Sequence, residues 1–242
     1  MSKLYIGTSG VTLPVPQSQY PDAFKGKSRL AYYSTMLNSL EVNSTFYKNP
    51  RPATVERWTA EVSVDFSFTF KLPKVVSHAK QLAFEEDNLE TFFAAIASAK
   101  AQTKCLLLQL PPSTDASNKA PLKKLLKAIR KYTMVDIAVE FRHESWYVQV
   151  IYDLLHLYNM TVVMHDYKKG KFDKLLDQPF YYYRFHGIDS NYRGSYPDDV
   201  LQQYARQLIS CVRENKEVYC YFNNTMGEAY SNAQRLWKLV TR

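Results

Sequence analysis

The sequence is poor in the patterns that most directly announce a chemistry. Its 242 residues include three cysteines, Cys105, Cys211 and Cys220, set far apart with no CxxC pair. An odd, dispersed set argues against a disulfide framework and a zinc knuckle, and it suits a reducing cytoplasm. No apolar run approaches the ~18 residues of a membrane span. The opening MSKLYIGTSG has no apolar signal core, so a soluble cytoplasmic protein with no membrane partner is expected. GxGxxG is absent, and GTSG at 7–10 is too short to stand in for it. Neither HxxxH nor HxH occurs. Linkers, internal repeats and low-complexity segments are also missing, so one domain over 1–242 is expected.

What is present is apolar and aromatic. Hydrophobic residues make up 46%, with 19 tyrosines and 13 phenylalanines, enough for a sizeable core. The 31 Lys and Arg outweigh 23 Asp and Glu, a net charge of +8. That excess favours anionic partners, a small molecule or nucleic acid, although solubility alone also accounts for it. A helical stretch with Lys123, Lys124, Lys127, Arg130 and Lys131 reads as a solvated basic face.

β-rich runs alternate with helical patterns along the whole chain. The runs at 3–7, 39–43, 66–71, 105–110, 135–140, 161–165, 180–185 and 217–222 read as strands. Helices are expected at 27–37, 53–62, 88–100, 121–132, 145–158, 198–213 and 227–240. A basic loop, 168–174, precedes the seventh strand. Alternation of this kind implies parallel strands with helical crossovers, and eight units suggest a closed (β/α)8, TIM-barrel-like α/β fold. The near-continuous apolar character of the runs fits strands covered on both faces. An open doubly wound sheet is the alternative.

Polar residues gather where the strands end, the side of such a barrel that carries active sites. Strand two ends in Glu41 and Asn43, strand three in Lys71 and strand four in Gln109. Strand five ends in Glu140, Arg142 and His143, and strand six in His165 and Asp166. Strand seven ends in Arg184 and His186, and strand eight in Asn223 and Asn224. Alternate residues share a face, so Glu41 with Asn43, Glu140 with Arg142, and Arg184 with His186 point together into the mouth. Val42, Phe141 and Phe185 then point outward under the helices.

Lys71, Arg142 and Arg184 outnumber Glu41 and Glu140, which favours an anionic ligand gripped by arginine. Glu41, Glu140, His143 and His186 are candidate acid–base groups. Asn43, Lys71, Gln109, Arg142, His165, Asp166, Arg184, Asn223 and Asn224 are candidate ligand contacts. A divalent metal could use Glu41, Glu140, His143, His165, Asp166 or His186, but the cations nearby would repel it. A charge layer that simply plugs the barrel is the plain structural alternative. Ser9 in GTSG is a weak nucleophile candidate, because Val11 stands where G-x-S-x-G needs glycine.

Several segments resemble the signature blocks of one family: GTSG (7–10), EVNSTFY (41–47), FTFKLP (68–73), LQLPPS (108–113), AVEFRHESW (138–146), YRFHG (183–187) and YFNNT (221–225). In that order they resemble the DUF72 (YecE-like) family, and the match runs to about Asn232-Ala233. The resemblance implies a TIM-barrel-like fold and delivers no activity. Through fold analogy with endonuclease IV and sugar-isomerase-like barrels it suggests metal-dependent hydrolase- or nuclease-like chemistry on nucleic acid or sugars. The family's usual tryptophan after GTSG is Val11 here, which implies an altered first loop.

Overall fold

The expected apolar runs become buried strands, seven as single strands and the sixth as two. The computed structural model describes residues 3–167 and 177–241. The expected basic loop, 168–174, lies outside them. In order, β1 (Leu4–Ser9), α1 (Arg29–Tyr33), β2 (Ser39–Val42), α2 (Pro52–Ala60), β3 (Ser67–Lys71), α3 (Lys74–Ser77) and α4 (Glu86–Ala95) form the first half. Next come β4 (Thr103–Gln109), α5 (Lys119–Tyr132), β5 (Asp136–Glu140), α6 (Gln149–Leu157), β6 (Thr161–Val162) and β7 (Met164–His165). The chain closes with β8 (Tyr181–Phe185), α7 (Asp198–Arg213), β9 (Val218–Phe222) and α8 (Ala229–Val240).

All strand pairs are parallel, in the order β6-β5-β4-β3-β2-β1-β9-β8-β7. This is a nearly closed α/β barrel of the expected kind. The count differs from eight in one respect: the sixth strand is two pieces divided at Val163. β6 pairs with β5, while β7 pairs with β8. One short segment thus faces two partners in succession, as the stagger of a closing barrel requires.

Side chains finish the ladder at this seam. Gln178 Oε1 accepts the Val162 N–H at 2.7 Å, and the Thr161 hydroxyl donates to the Phe180 carbonyl at 2.6 Å. On the other side, Tyr147 OH donates to the Phe141 carbonyl at 2.8 Å, and His165 Nε2 lies 3.0 Å from the same oxygen.

The helices are mostly shorter than their patterns. Residues 27–37 give only Arg29–Tyr33, whose start is capped by Ser28 accepting the Ala31 N–H. The expected 88–100 helix begins earlier, at Glu86, ends at Ala95 and continues as a 3-10 turn, Ala97–Ala99. The expected 145–158 helix is a 3-10 turn, Glu144–Trp146, followed by α6. α3 went unrecognised because four residues carry no period.

The core has two layers. Outside the sheet, Ile6, Val42, Phe141 and Phe185 pack under the helices, and Phe141 stacks on Trp146 at 4.9 Å. Inside the barrel, Tyr5, Leu107, Ala138, Tyr182, Tyr219 and Tyr221 fill the lumen. The alternation expected through Tyr181, Tyr182 and Tyr183 holds, with only Tyr182 turned inward. β1 and β2 approach closely at Gly7, where a Cβ would lie 2.0 Å from the Ser39 carbonyl oxygen.

The lumen floor holds an acid pair. Tyr219 OH lies 2.9 Å from both Asp136 Oδ2 and Glu217 Oε2. One hydroxyl proton cannot serve both carboxylates. Burial, with Glu217 beside it, raises Asp136 from 3.8 to about 7 against the lowering effect of Tyr219. The folded protein therefore keeps a proton that the unfolded chain loses between pH 3.8 and about 7, and stability falls as pH rises through that window. Asp136→Asn is expected to raise stability at pH 8 by ~2 kcal/mol, read as a higher urea midpoint. A lower midpoint at pH 8 would show that Tyr219 holds the ionised aspartate favourably.

Candidate functional site

Above the tyrosines of the lumen lies a layer of buried charge at the C-terminal ends of the strands. Glu41 on β2 and Glu140 on β5 are both fully buried. Arg184 on β8 bridges them. Its Nε and Nη2 reach Glu41 at 2.9 and 2.7 Å, a two-bond grip, and its Nη1 reaches Glu140 Oε2 at 2.7 Å. Arg142 pairs with the other oxygen of Glu140 through Nη2. Its guanidinium carbon sits 4.0 Å from the Tyr167 ring centroid. Glu41 also accepts from Ser9 Oγ and Tyr182 OH, both at 2.6 Å.

These contacts decide the charge states. Burial alone would raise both carboxyls. The Arg184 guanidinium overrides it at Glu41, and Arg142 with Arg184 holds Glu140 well below the usual carboxylate range. Burial likewise opposes the charge on Arg184, but Glu140 and Glu41 hold its pKa above the ordinary arginine value. Two carboxylates and two guanidinium groups therefore cancel.

The histidines add no charge. His186 Nε2 faces Arg142 Nη2 at 3.0 Å and Arg184 Nη1 at 3.3 Å. Guanidinium groups only donate, so this nitrogen accepts, and Nδ1 carries the proton toward Asp166 Oδ1, 3.4 Å away. Burial lowers its pKa despite that aspartate. His165 Nδ1 accepts the Tyr167 N–H at 3.2 Å, which leaves the proton on Nε2 for the Phe141 carbonyl. Burial lowers this ring to about 4.

Lys71 stands apart. Its Nζ donates to Gln109 Oε1 at 2.8 Å and lies 4.1 Å from the Phe46 ring centroid. Among the described residues it forms no ion pair. Burial, helped by Arg184, lowers its pKa from 10.5 to about 8 against the pull of the two glutamates. Arg142 Nε is also a buried donor without a partner among the described residues, and Asn43 Oδ1 is a buried acceptor without one.

The expected residues thus divide into groups. Glu41, Glu140, Arg142, Arg184 and His186 form one bonded chain, with Lys71 and Gln109 beside it. His165 sits at the seam. Asp166 accepts the His186 backbone N–H at 2.7 Å and is bonded by Tyr196 OH, which fixes the following loop. His143 is engaged away from the layer, its Nδ1 accepting the Ser145 N–H and capping the turn at Glu144–Trp146. Asn224 donates to the Gly194 carbonyl and to Asn232 Oδ1, each at 3.0 Å, tying α8 to a loop. Asn223 donates its backbone N–H to the Phe185 carbonyl at 2.7 Å.

Ser9 and Tyr182 were not read from the sequence as partners of Glu41. Tyr182 could have been, since it precedes Arg184 by two residues on the same strand face. The six candidate metal ligands do not converge: among the described residues no three His, Cys, Asp or Glu side chains group as a metal site would. No described helix is long and apolar enough to cross a membrane.

Comparison with known proteins agrees with the barrel. A family model described as "Protein of unknown function DUF72" matches residues 5–242. The UPF0759 protein YecE of Escherichia coli K12 is 27% identical over 147 residues, 60% of this chain and 51% of the relative. The protein of the same name from E. coli O157:H7 matches equally. The chain spans about half the length of these curated relatives. A crystal structure of a DUF72 family protein from Enterococcus faecalis V583 superposes with a TM-score of 0.81 at 20% identity, over 99% of this chain and 96% of that one. A DUF72 family protein from Thermotoga maritima MSB8 superposes with a TM-score of 0.72 at 26% identity, over 99% of both chains.

Proposed function

The chain belongs to the DUF72 family, and we propose from its own side chains that the barrel mouth binds a small anion bearing a phosphate or carboxylate. One observation carries this: Lys71 is a buried cation left over above a charge layer that already cancels. An ammonium has three donors, and Gln109 takes one of them. A ligand oxygen would satisfy the rest, with Arg142 Nε as a second donor and Asn43 Oδ1 open to a ligand hydroxyl.

In this arrangement Glu41, Glu140 and Arg184 are the floor of the site. They fix Arg142 and set the local potential. With its pKa brought to about 8, Lys71 is the group best placed to pass a proton to or from the bound anion near neutral pH.

Isothermal titration with inorganic phosphate and with a phosphorylated monosaccharide tests the proposal. Saturable binding by the wild type, weakened by about tenfold or more in Lys71→Met, is the expected result. Wild-type protein that binds neither probe, or a Lys71→Met variant that binds equally well, overturns it. The second outcome favours the other function open to the layer, a structural plug, which its charge balance also supports.

A further inference from the structure

At the opposite end of the barrel from the mouth, α4 and the turn after it face the start of β4 and the end of α5. They enclose a groove of about 710 Å³, a size that suits a small organic ligand. Phe93, Ile96, Tyr132 and Met134 supply apolar lining, and Phe93 stacks on Tyr132 at 5.0 Å. Met134 is 84% exposed, so its side chain is open to a ligand in the groove.

The charged side chains that line this groove are of one sign, with Glu86, Asp87 and Glu90 of α4 outside the lining. Lys100, Arg130 and Lys131 line it, and no carboxylate does. Glu86 engages Lys131 at 2.6 Å. Among the described residues Arg130 makes no ion pair. Its donors go to backbone carbonyls, those of Tyr158 at 2.9 Å, Val135 at 2.6 Å, Asn159 at 2.8 Å and Thr133 at 3.5 Å. Those bonds cover carbonyls beyond the ends of α5 and α6, which would otherwise repel an anion, and the nearest acid, Asp136, acts on the guanidinium without an ion-pair contact among the described residues. Along α5, Lys123, Lys124 and Lys127 are exposed, and the helix contains no acidic residue.

We propose that this groove is a second binding site, for a small amphiphile with a medium-length apolar chain and a terminal carboxylate. The chain lies over Phe93, Ile96 and Met134, and the carboxylate meets Lys100 beside Arg130. The site is separate from the mouth and does not depend on the function proposed there.

Calorimetric titration with decanoate, kept below its micelle-forming range, tests this. Saturable binding is expected in the wild type and in Lys71→Met. Ala97→Trp, at an exposed groove position, blocks the chain, and Lys100→Glu reverses the charge at the head; each is expected to weaken binding by about tenfold or more. Melting curves establish that both variants fold. Absence of saturable heat in the wild type overturns the proposal, as does an unchanged affinity in Ala97→Trp. Equal affinity for decanol overturns the assignment of the carboxylate to Lys100 and Arg130.

Discussion

Arg184→Ala is expected to destabilise the barrel by about 3–5 kcal/mol, the cost of leaving buried charge without its partner. The size follows from geometry. The substitution removes the three bonds that one guanidinium makes to carboxylates and strands Glu41, which is fully buried and touches no other cation among the described residues. Glu140 keeps Arg142. In a domain of this size that loss corresponds to a fall in melting temperature of roughly 10 °C. Arg184→Lys should rescue little, because an ammonium cannot reproduce the two-bond grip on Glu41 and also reach Glu140. Glu41→Gln combined with Arg184→Met should cost less than Arg184→Ala alone, because no buried charge is then unpaired. Urea unfolding followed by circular dichroism measures all three. A loss below about 1 kcal/mol for Arg184→Ala would mean that water reaches the layer and replaces the arginine.

The second large effect concerns pH. In the proposed site Lys71 would bind the anion as the ammonium, and burial brings its pKa to about 8. Affinity for phosphate should therefore hold below pH 8 and fall above it, by up to about tenfold per pH unit. Lys71→Arg retains the charge and should carry binding to higher pH, even if its longer side chain weakens affinity at pH 7. The histidines cannot produce this profile. His165 is held near 4, and His186 is lowered also. Phosphate's own second ionisation lies below the window, so sulfate, which does not titrate there, makes the cleaner probe. Wild-type affinity for sulfate that stays flat from pH 7 to 10 would remove Lys71 from the site. The same lowered pKa has a consequence for the free protein. The unfolded chain holds a proton on this lysine up to 10.5 while the folded one releases it near 8, so Lys71 makes stability rise with pH between those values.

The barrel was legible because parallel strands covered on both faces read as apolar runs. CLLLQL at 105–110 and the segment 135–140 could hardly be anything else. The inward direction of Glu41, Glu140 and Arg184 was legible for the same reason, since a strict period of two fixes faces once the outward Val42, Phe141 and Phe185 are placed. What could not be read is how the charges pair. Three cations against two carboxylates suggested a grip on an anion by Arg142 and Arg184. The structure commits both to the glutamates and leaves Lys71 as the surplus. That allocation depends on which strands face across the lumen, a property of shear and not of spacing. His143 and Asn224 stand beside the layer in the sequence but point into loop contacts, where chain direction changes beyond the last strand residue. The split at Val163 was hidden because both halves of the strand carry the same apolar pattern.

That split gives the barrel a clasp. Around the rest of the ring, strands are joined by direct backbone ladders, broken only by a register shift between β3 and β4 at Phe68 and Thr69 among the described residues. Between β5 and β8 the join is a short two-piece strand supplemented by side chains of Gln178, Thr161, His165 and Tyr147. The Glu140–Arg184 bond crosses this line, from β5 to β8. The ion pair therefore works as the bolt of the clasp: the barrel cannot part along its thinnest line without first separating two buried charges.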